Sequence, residues 1–249
     1  AAREKDANPL SKTFPDGAAW LDENGIFHQT SPQPLTPMED LPFIYDEAGR
    51  MDGFKNRIIY YETSRGCPFS CSYCLSSIDK KLRFRPLDTV KKELAFFLEQ
   101  RVPQVKFVDR TFNCKKSHAM AIWQFICDHD NGVTNFHFEI AADILDEEEI
   151  ALLKTMRPGL VQLEIGVQTA NPDTIHSINR KMDLARVAQV TEKIRQFHNI
   201  HQHLDLIAGL PLEDYESFGH SFDVVYQMKP SQLQLGFLKV LKGSPMQAQ

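Results

Sequence analysis

Along this chain the hydrophobic pattern changes character near residue 58. Before it, residues 1–57 hold few periodic segments and many turn formers, among them Pro9, Pro15, Pro32, Pro34, Pro37 and Pro42. Within that stretch WLDENGIFH reads as two short strands around an Asp-Glu-Asn-Gly turn. After it, apolar runs of strand length alternate with longer stretches of helical period. The spacing predicts strands at 58–64, 105–109, 136–141, 161–168, 203–208 and 232–238. Between them, one helical face is formed by Leu87, Val90, Leu94 and Phe97, another by Ile122, Phe125 and Ile126. Val187, Val190, Ile194 and Phe197 form a third, and Phe218, Phe222 and Val225 a fourth. Asp146 followed by Glu149 opens a helix as a capping box. Six strand–helix alternations predict a parallel sheet, because parallel neighbours need helical crossovers. An N-terminal extension (1–57) and a core domain (58–249) follow from the change of pattern.

The predicted strands are polar on one side. Glu62, His137 with Glu139, Gln162 with Glu164, Gly166 and Gln168, His203 with Asp205, and Gln232 with Gln234 and Gly236 recur two residues apart and so share a face. A doubly covered parallel sheet would be apolar on both faces. These groups instead line one wet interior, which fits a helix-ringed parallel barrel, open or closed, whose chemistry sits at the carboxyl ends of its strands.

Composition narrows the class. With 249 residues and 42% hydrophobic content the chain can bury a sizeable core. A net charge of −5 gives no general attraction to nucleic acid or anionic membranes, and no apolar run approaches the roughly 18 residues of a membrane span. The start AAREKDANPL has neither Met nor a signal-peptide pattern, so we expect a cut made inside a longer protein. Five cysteines, three of them clustered, read as reduced thiols in the cytoplasm.

Those three are Cys67, Cys71 and Cys74, spaced C-x3-C-x2-C directly after the first predicted strand of the core. A disulfide could use only two of them. Zinc would want a fourth ligand, which Cys114 could supply in space. Three thiolates on a four-iron cluster would leave one iron open to a cofactor or substrate. The spacing favours the cluster, with zinc left open.

Taken with the aromatic Tyr73 before the third cysteine, this motif resembles that of the radical S-adenosylmethionine (radical SAM) superfamily. The likeness extends through VKFVDRTF (105–112), FHFEIA (136–141), LEIGVQTANPDTIHSINRKM (163–182) and HLDLIAGLPLED (203–214). It implies a partial (β/α)6 TIM-like barrel of the radical SAM type behind an irregular N-terminal extension. By the same resemblance Cys67, Cys71 and Cys74 would ligate a [4Fe-4S] cluster, and its open iron would chelate S-adenosylmethionine. Tyr73 would pack beside the adenine, and Glu139 and Gln168 would reach the ribose. Arg180 would take the carboxylate, while Asp109 and Arg110 replace the usual paired glycines in the loop that meets the methionine amino group. Asp205 belongs to the fifth-strand motif with Gly209, Leu210 and Pro211.

LPFIYDE and FLKVLKGSPM further resemble the subgroup with an upstream cobalamin-binding domain, which would be absent from this fragment. That likeness implies methyl transfer, with an external flavodoxin- or ferredoxin-like electron donor and a small-molecule or peptide substrate. Two rivals are a methylthiotransferase-like modifier of RNA and a non-catalytic zinc-stabilised binding module. His137 and Glu164 face the interior without a cofactor role and are candidates to touch substrate. His198, His201 and His203 are expected at the surface, Cys127 in the core, and the basic run Lys80, Lys81, Arg83 and Arg85 in solvent.

Overall fold

A computed structural model describes residues 14–47, 50–54 and 57–248, so part of the expected extension, including Pro9, lies outside the described residues. The first described element is the hairpin of β1 (Ala19–Leu21) and β2 (Phe27–Gln29), which pair antiparallel around Asp22–Ile26. One oxygen of Asp22 accepts from the backbone N–H groups of Asn24 and Ile26, both at 2.9 Å, and Gly25 takes the left-handed conformation (φ +76°) that the turn needs.

The stretch after the hairpin reaches into the main core. Met38 and Tyr45 are buried, and the Tyr45 hydroxyl donates to the Tyr60 carbonyl at 2.7 Å. A buried ion pair ties this stretch down. Arg85 Nε donates to Glu93 at 2.8 Å, and its other nitrogens donate to the carbonyls of Met38 (2.8 Å) and Leu41 (2.9 Å). The Tyr61 hydroxyl donates to the same Glu93 at 2.5 Å. Thus half of the basic run is solvated as expected, Lys80 and Lys81 being exposed, whereas Arg85 is buried and Arg83 pairs with Asp79.

Two sheets follow. β3 (Ile59–Tyr61) leads into β4 (Ser64–Arg65), which pairs antiparallel with β5 (Arg83–Phe84). The remaining strands are β6 (Gln104–Phe107), β7 (Asn135–Ile140), β8 (Val161–Gln168), β9 (His201–Ala208) and β10 (Gln232–Phe237). They join β3 in a six-stranded sheet of order β10-β9-β8-β7-β6-β3, with every pairing parallel. The crossovers are helical: α1 (Leu87–Glu99), α2 (Lys116–Asp128), α3 (Glu147–Thr155), α4 (Pro172–Ser177), α5 (Leu184–Arg195) and α6 (Tyr215–Gln227). This is the expected partial (β/α)6 barrel.

The alternation read from the sequence explains the layers. On β8, Val161, Leu163, Ile165 and Val167 are buried toward the helices, while Gln162, Glu164, Gly166 and Gln168 are only partly covered on the inner side. Val90, Leu94 and Phe97 of α1, Ile122 and Ile126 of α2, and Val187, Val190 and Ile194 of α5 are the buried helical faces that meet them. Asp146 accepts from the N–H groups of Glu148 and Glu149, and Glu149 accepts from the Asp146 N–H, all at 3.0 Å, completing the expected capping box of α3. Cys127 packs against the main core, as expected.

Candidate functional site

The cysteine loop springs from a buried polar knot. Asp109 is fully buried and accepts three hydrogen bonds: from Thr63 N at 3.1 Å, Thr63 Oγ1 at 2.7 Å and Ser64 Oγ at 2.5 Å. Because the Thr63 hydroxyl spends its proton on Asp109, the contact of 3.1 Å with His118 Nε2 requires that nitrogen to be the donor. Burial outweighs these bonds and pushes the Asp109 carboxyl up to about 6. Burial likewise holds the neutral form of His118, whose pKa falls to about 4.

From this knot the chain enters the loop through Gly66, whose φ is +95°. A Cβ there would stand 2.7 Å from the Lys81 carbonyl oxygen. Only glycine fits such a position, so the two ends of the loop can touch. Cys67 N donates to Asp79 O at 3.0 Å, closing the same contact. Further along, Ser72 N donates to Ile178 O (2.8 Å), Ser72 O accepts from Met246 N (2.9 Å), and Asn179 Nδ2 donates to Ser70 O (3.1 Å). The loop is therefore fastened to the segment after β8 and to the end of the described chain.

The three thiols line one cavity of about 250 Å³ together with Tyr73, Arg110, Thr111, Glu139, Glu164, Gly166, Gln168, Arg180 and Asp205. All five cysteines are free, with Cys67 and Cys71 buried and Cys74 partly so. Arg180 bridges loop and barrel. Its Nη1 lies 3.2 Å from the Tyr73 hydroxyl and 3.6 Å from Cys71 Sγ, and its Nη2 donates to the Gly166 carbonyl. Burial raises the Tyr73 phenol above its usual range. At the end of β8 the register slips by one residue, and Gln168 takes a left-handed backbone (φ +75°) that a side chain rarely adopts. Its amide then lies over Gly166, in space that a Cβ on Gly166 would fill.

Below this cavity the inner faces of β6, β7, β8 and β9 bring Lys106, His137, Glu164, His203 and Asp205 together. Lys106 Nζ and His137 Nε2 each lie 2.8 Å from Glu164 Oε2, and His203 Nε2 lies 3.1 Å from Asp205 Oδ1. The lysine contact is an aligned hydrogen bond. Neither imidazole meets its carboxylate oxygen in hydrogen-bond alignment, and both Nε2 atoms and Asp205 Oδ1 are buried without a partner among the described residues. The His137 contact draws the Glu164 pKa down to about 2 against the effect of burial, with help from Lys106. Burial, followed by the neighbouring charges of Glu164 and Glu139, pushes Asp205 up to about 7. Glu139 is raised by burial and by Glu164, and His203 is lowered by burial.

Of the site residues expected from the sequence, the structure collects Cys67, Cys71, Cys74, Tyr73, Arg110, Glu139, Glu164, Gln168, Arg180 and Asp205 around one cavity, with His137 beneath it. Asp109 is the correction. It lies past the end of β6, turns away from the cavity and spends its acceptors on Thr63 and Ser64. The surface reading of His203 is a second correction, because it is buried inside the barrel beside Asp205, as the alternation reads it, whereas His198 is exposed. Cys114 is not among the residues lining the cavity. Its thiol is pushed up to about 11 by burial and then by the charges of Asp109 and Cys67. Lys106 and Thr111 were missed. Lys106 alternates with Gln104 on the inner face of β6, so the period of two that exposed the other interior residues would have found it.

Sequence comparison places residues 61–225 within the profile of the Radical SAM superfamily. Among curated relatives, an uncharacterized methyltransferase of Pyrococcus horikoshii is 24% identical over 218 residues, covering 82% of this chain and 46% of that protein. A 2-(S-pantetheinyl)-carbapenam-3-carboxylate methyltransferase of Streptantibioticus cattleyicolor is 25% identical over 231 residues, covering 78% of this chain and 31% of that one. The chain thus spans less than half the length of either. In fold it resembles the radical S-adenosylmethionine methyltransferase TsrM of Kitasatospora setae, solved with cobalamin and a [4Fe-4S] cluster. The TM-score is 0.69 at 18% identity, over 79% of this chain and 40% of that one.

Proposed function

This chain belongs to the radical SAM superfamily, whose members use a [4Fe-4S] cluster and S-adenosylmethionine, and from that premise we propose that it is the catalytic barrel of a cobalamin-linked methyltransferase. That it is a radical SAM enzyme follows from the family itself. The observation that carries the site assignment is the convergence of Cys67, Cys71 and Cys74 on the cavity that also receives Glu139, Gln168 and Arg180. Three thiols without disulfides, on a loop closed at Gly66, are a donor set that fits an iron–sulfur cluster.

A bound and reduced cluster would supply one electron for reductive cleavage of S-adenosylmethionine at its sulfonium. The chain's own residues hold the reactants. Cys67, Cys71 and Cys74 would be the cluster ligands. Glu139, whose carboxylate has no hydrogen-bond partner among the described residues, and Gln168 offer acceptor and amide groups to ribose hydroxyls. Tyr73 offers an aromatic wall, and Arg110 and Arg180 offer positive charge at the cavity edge for the methionine carboxylate. Glu164 and His137, deeper in the barrel, would meet the substrate.

Methyl transfer is supported by the two curated relatives, both named as methyltransferases, and by the cobalamin held in the TsrM structure. Cobalamin would come from a domain outside residues 1–249, and the electron from a flavodoxin- or ferredoxin-like donor. No helix among the described residues is long and apolar enough to cross a membrane. The test is anaerobic reconstitution followed by reduction with S-adenosylmethionine, with 5′-deoxyadenosine quantified beside a Cys71→Ala control. Product that disappears in the control, with about four irons and four sulfides per wild-type chain, is expected. Wild-type protein that holds no iron would overturn the assignment of the three cysteines.

A further inference from the structure

The floor of the barrel holds more ligand-type chemistry than cleavage of S-adenosylmethionine uses. His137, Glu164 and His203 present ligand atoms that all lie within 4.8 Å of one another. Both histidines are 6% exposed, and their Nε2 atoms are buried without a hydrogen-bond partner among the described residues. Asp205 Oδ1, also unpartnered and 3.1 Å from His203 Nε2, sits beside the same group. Each Nε2 stands against a carboxylate oxygen without hydrogen-bond alignment, so both buried nitrogens are under-satisfied, which costs free energy unless something else engages them.

Three adjacent strands build this arrangement. Glu139, Glu164 and His203 stand at one level of the sheet, with Lys106 and His137 one level below and Asp205 one level above. Because parallel pairing fixes those levels, the two imidazoles approach Glu164 from its two neighbouring strands, His203 at its own level and His137 from one level below. Glu139, Glu164 and Asp205 face the same interior; Lys106 contacts Glu164, while Arg110 and Arg180 lie toward the cysteine side of the cavity.

The geometry points to a second metal site in the barrel floor, in which His137, His203 and Glu164 hold a divalent transition-metal ion of the zinc class, with Asp205 beside His203 and the fourth position open. Nitrogen and carboxylate donors suit such an ion, and hard calcium or magnesium would want oxygen throughout. Lys106 holds Oε2 of Glu164, the same oxygen that lies 2.8 Å from His137 Nε2, and so orients the carboxylate toward the imidazole. Glu164 and Asp205 also line the cavity above, so the ion would stand between the cofactor region and the interior and would coordinate an oxygen-bearing group of the substrate. The site needs no cluster in order to form, and its fate is separable from that of the radical chemistry.

The test uses cluster-loaded protein, so that the three thiolates are already committed. Zinc(II) is added anaerobically, the sample is desalted, and iron, sulfide and zinc are counted per chain. One retained zinc is expected beyond the cluster iron. His137→Ala and His203→Ala should each bind it at least about tenfold more weakly with iron and sulfide unchanged. Cobalt(II) on the wild type guards against a variant that fails to fold: after the absorption of the cluster is subtracted, d–d bands with no added thiolate charge transfer are expected. No zinc retained by the wild type, equal retention by both variants, or a cobalt spectrum with thiolate bands would each overturn the site. A protein that binds zinc this way yet forms no 5′-deoxyadenosine would sink the catalytic reading and leave the metal site standing.

Discussion

Arg180 Nη1 lies 3.6 Å from the sulfur of Cys71, although the two residues are 109 positions apart in the chain. The same guanidinium reaches the Tyr73 hydroxyl and the carbonyl of Gly166, so one planar group spans the cysteine loop and the fourth strand of the large sheet. A lysine carries the charge but not the fork. Arg180→Lys should keep its iron and sulfide while forming 5′-deoxyadenosine at least about tenfold more slowly, a rise of ~1.4 kcal/mol in the barrier. Unchanged turnover would reduce Arg180 to a surface cap.

Gly166 and Gln168 make a second coupled pair. A methyl group at Gly166 would occupy the space of the Gln168 amide, which is the far end of a flexible side chain and can move. Gly166→Ala should therefore displace that amide and leave the strand intact. We expect S-adenosylmethionine to bind roughly tenfold more weakly, about 1.4 kcal/mol, with little change in melting temperature. Calorimetric titration beside a thermal scan separates the two effects, and a large thermal loss with normal binding would contradict the pairing.

At Gly66 the obstacle is backbone, not side chain. A Cβ would press on the Lys81 carbonyl, and φ of +95° is already outside the range of most residues. Gly66→Ala is expected to cost roughly 1–3 kcal/mol and to spoil the closure of the loop. Iron content after reconstitution should fall by more than half. A fully loaded variant would show that the loop closes some other way.

Asp109 gives a pH signature. Its pKa rises from 3.8 unfolded to about 6 folded, so between those values the folded protein binds a proton that the unfolded chain has released. Stability from this group is complete below about 3.8 and is lost as pH rises through 6, by up to roughly 3 kcal/mol. Asp109→Asn cannot ionise and lacks this loss. Denaturant unfolding from pH 4 to pH 7 should show the difference in stability moving toward the variant, and a constant difference would disprove the shift.

Arg85 and Glu93 are each buried. Arg85→Met would leave the Glu93 carboxylate with only the Tyr61 hydroxyl, at a cost of about 3–5 kcal/mol. Met38 and Leu41 would lose their tether in the same step. The double variant Arg85→Met with Glu93→Leu should recover most of the loss, as read by the midpoint of urea unfolding.

Much of this architecture was legible because period two and period 3.6 are both strongly written. Strand β8 was placed at its observed bounds, and the interior set Glu139, Glu164, Gln168 and Asp205 followed from alternation alone. Alternation stops helping where a strand ends. Asp109 lies two residues past β6, so its face could not be read by counting, and a buried acceptor of three local bonds was taken for a cofactor residue. His203 carries two readings in the sequence, inward with Asp205 by alternation and outward with His198 and His201 as a surface trio, and the burial of His203 on β9 supports the first. The left-handed turn of Gln168 has no sequence signature either, because glycine is the residue that usually marks such a backbone.

In the large sheet every strand lies beside the one that precedes it in the chain, from β3 across to β10. Such an order can accrete vectorially as the polypeptide leaves the ribosome, each strand docking on an existing edge. The three thiols emerge near the start of that process, and the guanidinium that covers Cys71 follows 109 residues later. At a synthesis rate of about 5–20 residues per second, that gap is roughly 5–20 s. Throughout it the nascent chain displays an unguarded thiol triad, so the interval most exposed to oxidation or to capture by a stray metal falls during translation, before the barrel exists.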